Sequence, residues 1–186
     1  MARTRSFSAA DAVRAARDQF WEHGYEATSL ADLERVTGLN RSSLYQAFGN
    51  KRQLFTLAVE NYLTEVAAPR LAALEAPDAT EAQVVDYFES LAAAMANAPG
   101  RLARRGCLVV NSITELAAHD PEAHAVGVSY RARLLGAFTG ALPPATAAQQ
   151  AELLTGTVIA VLVTARLDPA QAAALARAAA AEFRAG

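Results

Sequence analysis

The stretch that begins at Arg41 concentrates side chains that could bind nucleic acid. Arg41 is followed by Ser42, Ser43, Tyr45 and Gln46 within about two helical turns. A guanidinium can donate two hydrogen bonds to O6 and N7 of guanine, and an amide can pair with adenine. Hydroxyl groups bind bases or phosphate oxygens. These residue types predict DNA contacts without deciding which of them bind bases, and a solvated helix face is the alternative.

Polar residues before this stretch could bind phosphate. Thr28 and Ser29 stand at the expected start of one helix, and Asn40 at the start of the next. The N-terminus of a helix favours an anion, although the same residues can cap the helix, and both roles are compatible. Arg3 and Arg5 could add phosphate or minor-groove contacts as an N-terminal arm, or form an unbound tail.

Two short amphipathic segments must position these side chains. Residues 28–37 and 40–48 are separated by Gly38, which is the pattern of a helix-turn-helix. In that motif the second helix enters the major groove, while its apolar side chains, here Leu44 and Phe48, face the protein. The spacing therefore predicts that the polar residues after Asn40 are presented outward.

The whole chain is predicted to be helical, because alanine is abundant and no segment alternates like a strand. Glycines end the first three helices, and proline-containing segments separate the later ones. The predicted fold is all-α with about nine helices, near residues 8–24, 28–38, 40–49, 50–68, 81–96, 101–118, 121–140, 146–166 and 169–183. Residues 1–50 are expected to form a DNA-binding domain. Residues 51–186 are expected to form an effector-binding and dimerisation domain, which the fourth helix joins to the first.

Composition limits the class of protein. Of the 186 residues 53% are apolar, enough to bury a core, and a single cysteine excludes an intrachain disulfide. Residues 1–52 carry eight Lys and Arg against six Asp and Glu, whereas residues 53–186 carry nine against thirteen, so only the N-terminal part is basic. No apolar signal segment is apparent, and the apolar stretch 153–165 is shorter than the roughly 20 residues that span a bilayer. We therefore expect a cytoplasmic protein without a membrane partner.

A set of residues in the first 57 positions carries a family pattern, in order and without gaps. It consists of Phe20, Gly24, Tyr25, Thr28, Ser29, Leu30, Val36, Thr37, Gly38, Leu39, Ser43, Leu44, Tyr45, Phe48, Asn50, Lys51 and Leu54. In these residues the chain resembles the TetR/AcrR family of transcriptional regulators. The resemblance implies a homodimer that binds double-stranded operator DNA through its N-terminal head. It also implies a C-terminal body that binds a small effector and pairs through its last two helices. Lys51 matches a position at which that family contacts the DNA backbone.

Cys107 lies in a second segment, Arg105 to Asn111, that resembles a branch of the same family responding to electrophiles, oxidants or metals. Neighbouring arginines and a helix N-terminus favour a reactive thiolate, which supports a sensor. The alternative is a small buried core residue, the usual place of a free cysteine. A cysteine-dependent enzyme would need a histidine base, for which His124 is a candidate on another helix. A ligand-binding or scaffold protein that no longer binds DNA is a further alternative.

Candidates for other sites lie farther along the chain. An effector pocket would be lined by large or polar residues that could equally be core: Tyr62, Phe88, Met95, Asn111, Tyr130 and Phe138. The eighth predicted helix is apolar on all sides and the ninth is rich in alanine, which predicts a four-helix dimer interface. The interface candidates are Leu154, Val158, Val161, Leu162, Ala172 and Leu175. The imidazole and carboxylate groups of His119, Asp120, Glu122 and His124 could bind a metal ion. Asp120 is needed as a helix cap, however, and neither metal nor cofactor is predicted.

Overall fold

The structure is a computed structural model that describes residues 8–98 and 100–184. The predicted arm at Arg3 and Arg5 lies outside the described residues. Backbone contacts divide the chain into two compact units, the first ending at Val66 and the second beginning at Ala67. The predicted functional division after residue 50 falls inside the first of these units and stays a prediction.

All regular secondary structure in the described residues is helical, which confirms the predicted fold class. Helix α4, a π-helical turn and α5 continue without a break, so these residues hold nine separate α-helical stretches besides one 3-10 turn. The elements are α1 Ala9–His23, α2 Leu30–Thr37, α3 Arg41–Phe48, α4 Lys51–Tyr62, the π-helical turn Leu63–Ala67, α5 Ala68–Leu71, α6 Glu81–Asn97, the 3-10 turn Gly100–Arg104, α7 Leu108–Leu116, α8 Pro121–Ala141, α9 Ala147–Leu167 and α10 Pro169–Glu182.

The first unit is built around α1, which packs against both α2 and α4. Phe20 of α1 is fully buried, and its ring lies edge-on to that of Phe55 with 5.1 Å between centroids. Leu33 and Leu44 bring one apolar residue each from α2 and α3 into this core. The two short helices α2 and α3, which could bury little alone, are therefore stabilised by α1 and α4.

The second unit has α10 against both α6 and α9, while α8 packs against α7 and α9. Its centre includes the rings of Tyr87, Phe88 and Phe138, with centroids 5.6–5.9 Å apart. Burial in this apolar cluster raises the pKa of the Tyr87 phenol far above its ordinary value. The aromatic side chains of α6 and α8 thus fill the core.

Helix α9 is long and apolar enough, by length and composition alone, to cross a membrane. Its length of 21 residues exceeds that of the apolar stretch 153–165. Core helices of soluble proteins share this property, and Val158, Val161 and Ala165 of α9 are fully buried within this chain. The chain therefore covers one face of α9 by its own packing.

Two predicted helix boundaries were wrong, and each correction has a steric cause. The fourth helix does not end before Pro69. A proline ring would clash with the carbonyl of Glu65 in an α-helix, and a π-helical turn widens the backbone just before it. The predicted helix 101–118 is instead a 3-10 turn and α7, because Gly106 between them has φ of +63°.

Candidate DNA-binding interface

A tight turn between α2 and α3 sets the geometry of the candidate interface. Gly38 adopts φ of +69°, a left-handed conformation that ends α2 and that residues with a side chain rarely adopt. Asn40 then caps α3, its side-chain oxygen accepting the N–H of Ser43 at 2.9 Å. Both predicted signals, the glycine and the asparagine, therefore act locally to start α3 where the sequence placed it.

Helix α3 buries its apolar side and exposes its polar side. Leu44 and Phe48 are 5% and 8% exposed, whereas Tyr45 is 42% exposed. The Arg41 guanidinium lies 5.7 Å from the centroid of the Tyr45 ring, close enough for a cation–π contact. Of the other predicted contacts on this helix, Ser42 and Gln46 are exposed and Ser43 is half-buried. The structure brings these residues together on one accessible face.

At the start of α2 the hydrogen-bond donors available to a phosphate are backbone N–H groups and not the predicted Thr28 side chain. Ser29 and Asp32 form a reciprocal capping box: each backbone N–H donates to the other's side chain, at 3.0 and 3.1 Å. The N–H groups of Leu30 and Ala31 have no acceptor among the described residues, as expected at the first turn of a helix. These two backbone donors are suited to a phosphate oxygen, whereas the exposed Ser29 hydroxyl already donates to the Asp32 carboxylate at 2.6 Å.

Thr28 is a correction to the predicted contact set. Its side chain is fully buried, and its hydroxyl donates to the backbone oxygen of Gly24 at 2.7 Å. A buried hydroxyl that already holds an intramolecular hydrogen bond has no surface to offer DNA. Thr28 instead fixes the turn that leads from α1 into α2.

Lys51 stands at the first position of α4, next to the end of α3, and is half-buried. Its ammonium nitrogen lies 4.3 Å from the centroid of the Tyr25 ring. Such a cation–π contact holds a flexible lysine in place while leaving its charge intact. The sequence alone does not predict this contact, because Tyr25 and Lys51 are 26 positions apart.

An ion-pair network ties α1 to the residues that follow α4. The guanidinium groups of Arg14 and Arg17 contact opposite oxygens of Glu65 at 3.1 and 3.0 Å. Arg17 also donates to the side-chain oxygen of Asn61 at 2.9 Å. Hydrogen bonds from Asn61 and Arg14 lower the pKa of Glu65, so its carboxylate is charged at neutral pH. The network was not predicted, since it joins segments far apart in the sequence.

The predicted effector residues are packed rather than arranged around a shared opening. Phe88 and Phe138 are fully buried and stacked on each other, and Tyr130 and Met95 are each 7% exposed. Asn111 donates to the backbone oxygen of Arg105 at 3.0 Å. Tyr62 lies in the first unit, where its ring is edge-on to Trp21 with 4.8 Å between centroids, and its role in effector binding stays a prediction.

Cys107 is fully buried at the start of α7, and its sulfur lies 3.9 Å from the hydroxyl oxygen of Tyr130. A thiol in this position can react only when the surrounding helices open. The metal alternative at His119, Asp120, Glu122 and His124 gains no support. Asp120 caps α8 by accepting the N–H of Ala123, and no group of three potential ligands is found within the described ranges.

The predicted dimer contacts need the largest correction. Leu154, Val158, Val161, Leu162 and Ala172 are buried within a single chain, and of the six candidates only Leu175 is exposed. The opposite face of α9 is exposed instead and carries small or apolar residues at helical spacing: Leu153, Gly156, Ala160, Val163 and Leu167. Helix α8 exposes a similar row: Ala125, Val128, Ala132 and Gly136. Both rows follow a 3- and 4-residue spacing that the sequence shows. Helix α9 also has apolar residues on its buried face, however, and the sequence alone does not distinguish the two faces.

The chain is similar in sequence to known bacterial transcription regulators. Residues 12–58 match the family of bacterial regulatory proteins described as the tetR family. The chain is 38% identical over 122 residues to the uncharacterized HTH-type transcriptional regulator YezE of Bacillus subtilis, covering 66% of this chain and 61% of that protein. It is 36% identical over 115 residues to the HTH-type transcriptional repressor ComR of Escherichia coli, covering 61% and 53%. The matches thus span about three fifths of YezE and about half of ComR.

A solved structure extends the similarity to the full chain. A cysteine mutant of the TetR family transcriptional regulator CifR, complexed with 26-base-pair double-stranded operator DNA, aligns with a TM-score of 0.69 and 26% identity over 99% of both chains. None of these matches identifies the branch that the segment around Cys107 resembles, and that resemblance stays a prediction.

Proposed function

We propose that this chain, which belongs to the TetR family of bacterial regulatory proteins, is a cytoplasmic DNA-binding transcription regulator that acts as a homodimer. The observation that carries the proposal is the exposed face of α3, where Arg41, Tyr45 and Gln46 project from a helix that Leu44 and Phe48 anchor. This face lies within the matched segment and has the residue types that bind base edges and phosphates.

In the proposed complex α3 enters the major groove. Arg41 and Gln46 would bind base edges, while Ser42, Ser43 and Tyr45 would bind bases or phosphates. Phosphates would be held by the N–H groups that follow Ser29 at the start of α2, by the polar start of α3 at Asn40, and by Lys51. The Tyr25 ring that holds Lys51 reduces the side-chain entropy lost on binding.

A second copy of this chain is the proposed occupant of the exposed faces of α8 and α9. Leu153, Val163 and Leu167 are 64%, 41% and 76% exposed, which is unusual for leucine and valine unless another surface covers them. Gly156 and Ala160 between them allow a close approach of helices, and two copies related by a twofold axis would form a four-helix interface. Such a dimer would present two copies of α3 to a pseudo-palindromic operator.

Repression is the proposed sign of regulation, supported by the relation to the repressor ComR. In this mechanism an effector binds the second unit and prefers one of two conformations, so that the spacing of the two heads no longer fits the operator. Modification of Cys107 would act in the same way, and its burial requires that a local opening precede the reaction. The effector remains a small molecule or electrophile of unspecified identity.

Binding to the DNA upstream of its own gene tests this function. The wild-type chain should shift this fragment at low salt and lose affinity steeply as salt rises, because phosphate contacts release counterions. Arg41→Ala should reduce sequence preference by about 1–3 kcal/mol. The matched control is Arg184→Ala, which removes an exposed arginine paired with Glu89 in the second unit and should leave binding unchanged. Footprints that do not differ between wild type and Arg41→Ala would contradict the assigned orientation of α3, and no salt-dependent binding would favour a scaffold protein.

A further inference from the structure

An open groove of about 860 Å³ lies in the second unit, apart from the residues predicted to bind an effector except for Met95. Its lining comes from the end of α6, the 3-10 turn, Asp168 and α10 as far as Arg177. The volume falls within the range of small-molecule sites. Nothing in the proposed function uses this groove.

The groove combines an apolar base with charged sides. Met95 and Ala173 are 7% and 2% exposed, so the apolar surface open to the groove comes from the exposed Ala96 and Ala170 and the half-buried Pro169. Arg101 and Arg104 line it from the 3-10 turn, and Arg177 lines it from α10. Three arginines from two separate elements therefore line the groove.

The lining of the groove holds three arginines and one acidic residue, so its net charge is positive. Asp168 is the one acidic residue of the lining, and its Oδ1 accepts the N–H groups of Ala170 and Gln171 at 2.9 and 3.2 Å as the cap of α10. Neither Arg104 nor Arg177 pairs with a carboxylate anywhere in the described part of the chain, and both are exposed. By contrast, Arg133 and Arg184 in the same unit each hold a glutamate.

We propose that this groove binds a small amphipathic anion, with a carboxylate or phosphate head held by Arg104 and Arg177 and an apolar chain lying on Ala96, Pro169 and Ala170. Arginine binds both head groups through paired hydrogen bonds, and a partly apolar wall strengthens them by excluding water. A neutral ligand would leave the two guanidinium groups unused, and a hydrophilic anion would leave the apolar base exposed. The chemistry of the lining therefore selects a ligand that has both parts.

Isothermal titration calorimetry with three ten-carbon probes below their micelle concentrations tests the proposal. Decanoate, decyl phosphate and decanol share the chain and differ in the head. At least one anion should bind saturably and about tenfold or more tighter than decanol, and added salt should weaken it. A preference between the two anions identifies the head group that the arginines favour.

Variants locate the site. Arg104→Gln and Arg177→Gln, made singly so that the fold is retained, should each weaken anion binding about tenfold, whereas Arg184→Gln should not change it. Equal affinity for decanol, equal loss in the Arg184→Gln control, or no saturable binding of either anion at millimolar concentration would overturn the proposal. The readout does not involve DNA, so its failure leaves the proposed regulator unaffected, and a failure of DNA binding leaves the groove intact.

Discussion

At the scale of single residues, Asp32 links protonation to the folding of the candidate interface. Hydrogen bonds from the Ser29 hydroxyl and backbone N–H, and from Arg35, lower its pKa from 3.8 to about 2. A pKa that is lower in the folded state adds stability above the unfolded value, and this contribution is lost as pH falls through the folded value. The capping box is therefore complete at neutral pH and weakens in acid.

Asp32→Asn should lower the melting temperature near neutral pH, because the charged acceptor is lost. The difference between wild type and variant should shrink between about pH 4 and pH 2, where wild-type Asp32 itself becomes protonated. Circular dichroism melts across this range measure it. Glu34→Gln serves as the control, since it removes a carboxylate from the same helix without touching the cap. A difference that stays constant down to about pH 2 would contradict the assignment.

Cys107 should react slowly in the native protein. With its side chain fully buried, labelling by a maleimide should be on the order of a hundredfold slower than in denaturant, as a local opening of about 3 kcal/mol would give. The rate is followed by mass spectrometry, with the denatured chain as reference. Labelling at the denatured rate would show an accessible thiol and favour a directly exposed sensor. DNA affinity after complete labelling then tests the sensor role itself.

At the scale of elements, Gly106 separates the 3-10 turn from α7. It combines φ of +63° with a packed neighbour, since a Cβ there would lie 2.6 Å from the backbone oxygen of Leu162. Gly100 has φ of +51° but no atom within 4 Å of such a Cβ. A comparison of Gly100 with Gly106 therefore distinguishes the cost of a left-handed backbone from the cost of a steric clash.

Gly100→Ala should lower the free energy of unfolding by about 1–2 kcal/mol, the cost of a left-handed alanine. Gly106→Ala should cost a further 1–3 kcal/mol or so, because α9 must also move away. Urea unfolding followed by circular dichroism gives both values. Equal losses would mean that the contact with Leu162 relaxes freely and that only the backbone conformation matters.

Local sequence signals predicted the elements well, and long-range contacts explain what they missed. Ser29, Asn40 and Asp120 cap helices as expected, since a cap depends on residues within one turn. The exposed face of α3 followed from its spacing alone. The burial of Thr28, however, depends on the carbonyl of Gly24 and the core around it, and helix periodicity does not reveal such a contact.

At the scale of the whole molecule, the decisive feature is how α9 divides its apolar residues. The sequence shows apolar side chains all round and does not say which of them the chain covers itself. Packing against α8 and α10 buries Val158, which leaves Leu153 and Leu167 on the surface. Most of the predicted interface residues are therefore covered by the chain itself, and the exposed face of α9 is the one open to a partner.

Leu153→Glu should convert the proposed dimer into monomers, weakening association by about a hundredfold or more, while leaving helix content unchanged. Leu153 is 64% exposed in one chain, so a carboxylate is well solvated in the monomer, whereas a twofold interface would bury two of them. Sedimentation velocity over a range of concentrations measures the equilibrium. Val158→Glu should instead unfold or aggregate, because Val158 is fully buried within its own chain.

Leu102→Glu is the matched control for that substitution. Leu102 is 44% exposed on the 3-10 turn and is not part of the exposed rows of α8 and α9, so the same change of leucine to glutamate should leave the dimer intact. Monomeric Leu153→Glu should also bind operator DNA more weakly than the wild type, because two heads no longer bind as one unit. A dimer of normal mass in Leu153→Glu would place the interface elsewhere, and the exposed Leu175 of α10 would then be the next position to substitute.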